Sequence, residues 1–102
     1  PGTQTIEQVA DVFYGEQEDG WMLDHKSSPS KVQKACQEVV RLATPFDAVA
    51  LGVLEARLLH DPYRQFQWRG LKALVRGIMQ GITDYHKTAR AEARRAKKAQ
   101  RS

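Results

Sequence analysis

The sequence predicts an all-α fold, a small bundle of about four helices with a long basic C-terminal helix or tail. Three observations predict it. Between residues 61 and 85 the large apolar residues Tyr63, Phe66, Leu71, Leu74, Val75, Ile78, Ile82 and Tyr85 recur mostly in steps of three and four, the period of an amphipathic helix. Helix-start signals, a capping residue followed by proline, recur at Ser28-Pro29, Thr44-Pro45 and Asp61-Pro62. The last stretch, HKTARAEARRAKKAQRS, is built from residues that favour helix but carries no large apolar side chain.

The first element starts at Thr5-Ile6-Glu7-Gln8, a capping box in which the Thr5 hydroxyl caps and Gln8 reaches back. Ile6, Val9, Ala10 and Phe13 share one face and Gly15 is a natural stop, so helix 1 is expected over 6–14. A helix this short is unstable alone. It either docks on its own core or acts as an arm that enters a partner's groove. An acidic loop follows from Glu16 to Gly20, then the cluster Trp21, Met22 and Leu23, which either anchors a partner or plugs the core.

Ser28 caps helix 2, expected over 29–43, with Val32, Ala35, Cys36, Val39, Val40 and Ala43 on its apolar stripe. Cys36 reads as a small buried hydrophobe, because Lys34 alone is a weak activating field for a thiol. Thr44 and Pro45 are expected to start helix 3, which runs to about His60. Helix 3 is apolar on most sides, so it belongs in the centre of a bundle or between the core and a partner. Gly52 in its interior suggests a close crossing by another helix. Helix 4 is expected from Pro62 to about residue 94, fraying thereafter. Gly70, Gly77 and Gly81 form a seam of small residues along it, suited to helix 3 or to the same helix of a second subunit. Trp68 lies off the main stripe, either as a surface aromatic beside Arg64 and Arg69 or as an interface anchor.

With 102 residues the chain is expected to hold an acidic N-terminal arm with a short helix (1–27), a helical core (28–87) and a partly disordered basic tail (88–102). The net charge of +4 hides an asymmetry of −6 over residues 1–25 and +6 over residues 86–102. Such ends can attract each other, within one chain or between two. No apolar run approaches the ~20 residues of a membrane span, and no signal peptide is visible. The single cysteine, Cys36, cannot form an internal disulfide, so a reducing, cytoplasmic setting is expected. There is no paired-carboxylate site, no Ser/His/Asp arrangement and no phosphate loop. Asp24 and His25 lack further ligands at metal-binding spacing. An enzyme is not expected, nor a cofactor or metal.

Two functions from different classes fit these patterns. One is a protein-interaction regulator using surplus apolar surface, with Ile6, Val9, Phe13, Trp21, Tyr63, Phe66 and Trp68 as contact residues and Gly70, Gly77 and Gly81 for self-association as a homodimer. The other is a nucleic-acid-binding accessory protein acting through Arg90, Arg94, Arg95, Lys97 and Lys98. The helical layout over residues 28–85, with the run SSPSKVQKACQEVVRLATPFDAVALGVLEARLLHDPYRQFQWRGLKAL, resembles the QslA-type anti-activators of quorum-sensing regulators. That resemblance implies a helical cytoplasmic protein that binds the ligand-binding domain of a LuxR-type transcription regulator and blocks its dimerisation and DNA binding. It assigns no individual residue.

Overall fold

In a computed structural model of the chain, which describes residues 4–15, 22–60 and 67–101, four helices form one bundle. They are α1 (Ile6–Tyr14), α2 (Pro29–Ala43), α3 (Ala48–Leu59) and α4 (Leu71–Arg101). Helix α1 packs against α2 and α3, and α4 packs against the same two, so α1 and α4 stand diagonally opposite.

The capping box forms as the sequence implies. The Thr5 N–H donates to Gln8 Oε1 at 2.8 Å and the Gln8 N–H to Thr5 Oγ1 at 3.1 Å. Gly15 ends α1, its N–H donating to the Asp11 carbonyl. Helix α1 belongs to the core and is not an arm. Val9, Ala10, Phe13 and Tyr14 are buried, and the Tyr14 hydroxyl donates to the Leu58 carbonyl of α3. Glu7 pairs with Arg57 of α3 at 3.1 Å, so this acid of the head meets the bundle and not the basic tail. A chain this small can build only a limited core, and α1 supplies Val9, Phe13 and Tyr14 to it.

A tight turn joins the N-terminal part to α2: the Asp24 N–H donates to Ser27 Oγ, the Ser27 N–H to the Asp24 carbonyl, and the Lys26 N–H to Asp24 Oδ1. Leu23, fully buried, plugs the core beside it. Ser28 caps α2 by accepting from the Lys31 N–H, with Pro29 in the first turn.

Helix α3 starts later than the Thr44-Pro45 signal implied. Thr44 is itself helical in backbone and turns its hydroxyl back to the Arg41 carbonyl at 2.9 Å, closing α2. Asp47 caps α3 instead, its carboxylate accepting from the Ala50 N–H at 2.8 Å. An ionised acceptor at a helix N-terminus gains from the dipole as well as from the hydrogen bond.

The expected start of helix 4 at Asp61-Pro62 lies outside the described residues. An unbroken helix onward from there does not form, because the chain leaves helical geometry at Trp68 and turns through Arg69-Gly70. The Leu71 N–H donates to the Trp68 carbonyl across that turn, and α4 begins at Leu71. Gly70 therefore precedes the helix. Leu71, Val75, Ile78 and Ile82 of α4 fill the core against Val39, Leu54 and Leu58. The helix runs on to Arg101, well past the expected end near residue 94. Its 31 residues give a length of about 46 Å at 1.5 Å per residue. The molecule accordingly measures 55 × 27 × 27 Å.

Candidate functional site

Helices α2 and α4 pack against each other and line a shared groove. Where they meet, Gly81 faces Val40, and a Cβ at Gly81 would lie 3.1 Å from Val40 Cγ2. The glycine is what lets the two backbones approach there. The groove has a volume of about 830 Å³. One wall is the α2 stripe of Val32, Cys36 and Val40, with Gln33 and Gln37 at the margin. The opposite wall consists of Ala73, Leu74, Gly77 and Gly81 of α4, with Gly70 and Trp68 just before the helix. The α4 residues recur at three- and four-residue steps, so they form one face beside the core stripe. Nothing approaches within 4 Å of a Cβ placed on Gly77, so the middle of this wall is open.

Cys36 is half-buried in the groove wall, and burial pushes its thiol above the ordinary range, which keeps it protonated and weakly nucleophilic. The apolar wall, the small residues opposite and an unreactive thiol describe a surface for packing. Among the described residues no group of three His, Cys, Asp or Glu side chains could hold a metal ion, and no helix is long and apolar enough to cross a membrane.

The residues expected to contact a partner are distributed differently. Val9 and Phe13 are completely buried, so their contacts are with this chain's own core and they cannot meet a partner while the chain stays folded. Ile6 is half-buried against that core. Trp68 is also half-buried, stacked on Phe13 with ring centroids 6.0 Å apart, and it lines the groove. Trp21, Tyr63 and Phe66 lie outside the described residues. Gly70, Gly77 and Gly81 all line the groove, and the close neighbour of Gly81 within the chain is Val40 of α2, not α3.

Gly52 is not at a helix crossing. A Cβ there would meet nothing within 4 Å. Val49, Gly52, Val53 and Ala56 form an exposed apolar face of α3, with Val49 77% and Val53 50% accessible. That face is the signal the sequence carried in part: a helix apolar on two sides has one side left over after the core takes Leu54 and Leu58. The α2 wall of the groove carries no separate signal in the sequence, because Val32, Cys36 and Val40 have the spacing of ordinary core positions.

Arg90, Arg94, Arg95, Lys97 and Lys98 are all exposed on the last turns of α4. Helix α4 is tied to the end of α2 at His86, whose Nε2 lies 2.7 Å from the Thr44 carbonyl.

No family model matches the chain, and no curated protein or solved structure matches it either.

Proposed function

We propose that the chain is a small regulatory interaction module that receives a helix of a partner protein in the groove between α2 and α4. The observation that supports this reading is the open apolar groove of about 830 Å³ with a wall of small residues. Small residues let an incoming helix lie close, and apolar groups on the facing wall gain from leaving water. Residues with polar ends, Gln33, Gln37 and His25, sit among the lining and give the groove a partly polar rim.

The resemblance over residues 28–85 supplies the class of partner: the ligand-binding domain of a LuxR-type transcription regulator. Occupation of a helix that such a regulator uses to dimerise would block its dimerisation and DNA binding, which is anti-activation. A cytoplasmic setting goes with this reading.

The test is binding of the full chain to a purified LuxR-type ligand-binding domain, followed by calorimetry and by mass in solution. Wild type is expected to bind and to break up the regulator's dimer. Gly77→Leu, whose Cβ meets nothing within 4 Å and whose side chain would occupy the open part of the groove, is expected to abolish binding while leaving the circular dichroism spectrum intact. Undiminished binding by Gly77→Leu would overturn the groove as the site. Self-association is the second part of the reading, favoured by the exposed Val49, Gly52, Val53 and Ala56 face of α3. Light scattering is expected to find a dimer that Val49→Lys converts to a monomer, and a monomeric wild type would remove this part.

A further inference from the structure

The bases of α4 form one line. Lys72 and Arg76 are four residues apart, and Lys87, Arg90, Arg94, Lys97 and Arg101 follow in steps of three and four. From Arg76 to Lys87 is eleven residues, about three whole turns, so both groups lie on the same side of the helix. All seven are exposed. Arg95 and Lys98 widen the line at its distal end. The two acids of the helix do not interrupt it: Asp84 is held by the Gln80 side chain at 2.9 Å, and Glu92, two residues on from Arg90, points to the other side. None of the seven makes an ion pair among the described residues, where the ion pairs are Arg41–Glu38 and Arg57–Glu7 on other helices.

We propose that this stripe binds duplex nucleic acid without sequence preference, with the free end of α4 in the major groove. Residues 87–101 extend about 22 Å beyond the bundle, four turns of bare helix. An α-helix is about 10–12 Å across, and the major groove is about 12 Å wide. Ala89, Ala91, Ala93, Ala96 and Ala99 keep this segment slender while its bases reach the phosphates on either wall. Lys72 and Arg76, on the same side nearer the bundle, meet the flanking backbone. A membrane surface fits worse, because an interfacial helix sets large apolar groups opposite its basic face and this segment offers only alanine there. A docking site for an acidic protein would need a buried anchor, and residues 87–101 have no aromatic or large aliphatic group.

The test is fluorescence anisotropy of a labelled duplex two helical turns long, titrated with the full chain between about 50 and 200 mM salt. Wild type is expected to bind, with log K falling against log salt at a slope of about −6, corresponding to about seven phosphates. The variant R90Q/R94Q/K97Q/R101Q is expected to bind at least about tenfold more weakly and to flatten that slope by about 3 to 4. Glutamine favours helix almost as well as arginine and lysine, so circular dichroism should be unchanged. K34Q, which removes an exposed base of α2 outside the stripe, should bind as wild type does. Gly77→Leu should also bind the duplex normally, which keeps this result separate from the groove. No anisotropy change at low salt, equal binding by the quadruple variant, or binding to phosphatidylserine vesicles as tight as to the duplex would each overturn the proposal.

Discussion

The two halves of α4 are one continuous helix held by different forces. Up to Ile82, its inward positions are Leu71, Val75, Ile78 and Ile82, each at most 1% exposed. Beyond His86 the same face carries Ala89, Ala93 and Ala96, all in solvent. The first half is fixed by burial and tolerates a glycine at Gly77 and at Gly81. The second has only the intrinsic preference of Ala, Arg, Lys and Glu for helix. A separate peptide of that length would be marginal, but here the packed half has already formed the nucleus and each further residue only extends it. One helix can thus hold a core at one end and present an unpacked charged surface at the other.

Substitutions at matching positions should separate the two halves. Ile78→Ala is expected to lower global stability by about 2–5 kcal/mol, from lost burial and the cavity left behind. Ala93→Gly, on the same face of the free half, is expected to lower helix content without moving the denaturant midpoint. Equal effects on the midpoint would mean that the free half is packed after all.

The glycines sharpen the comparison at about 1 kcal/mol. Gly77→Ala should stabilise by up to about 1 kcal/mol, since the new methyl meets nothing and alanine is the better helix former. Gly81→Ala should gain less or lose, because its Cβ would press on Val40 Cγ2 at 3.1 Å. Urea midpoints of the two variants check this, and a larger gain at Gly81 would mean that α2 and α4 do not touch there.

Cys36 gives the smallest effect and a useful reporter. Burial raises the folded thiol's pKa above its value in the unfolded chain. Its contribution to stability is therefore present below the ordinary thiol range and lost as pH rises through the folded value. Labelling by Ellman's reagent should be slower than in denaturant, and slower again when a partner fills the groove. Faster labelling on adding partner would place the partner elsewhere.

Much of this architecture was legible in the sequence because it is set by neighbours along the chain. Thr5 with Gln8, and Ser28 with Pro29, fix the starts of α1 and α2, and the apolar period of α4 identifies its buried face. The start of α3 was harder, since Thr44 and Asp47 are both good caps and the choice depends on Phe46 reaching the core. Val9 and Phe13 have the same spacing whether α1 is an arm or a core element; the Tyr14–Leu58 and Phe13–Trp68 contacts decide it, across more than forty residues of sequence. The groove was illegible for the same reason. It is lined by residues of α2 and α4 that come together only in the fold, with Val40 against Gly81 and open space at Gly77, which no local pattern states. The free end of α4 stays helical to Arg101 without an apolar stripe, because its composition favours helix and the packed half has already nucleated it.

Hydrogen exchange followed by mass spectrometry, on the full chain alone and with a LuxR-type ligand-binding domain, tests the groove itself. If the groove is the partner's seat, added protection should appear in residues 29–40 and 70–81 together, on both walls. Protection confined to the outer face of α3, or to residues 87–101, would contradict it.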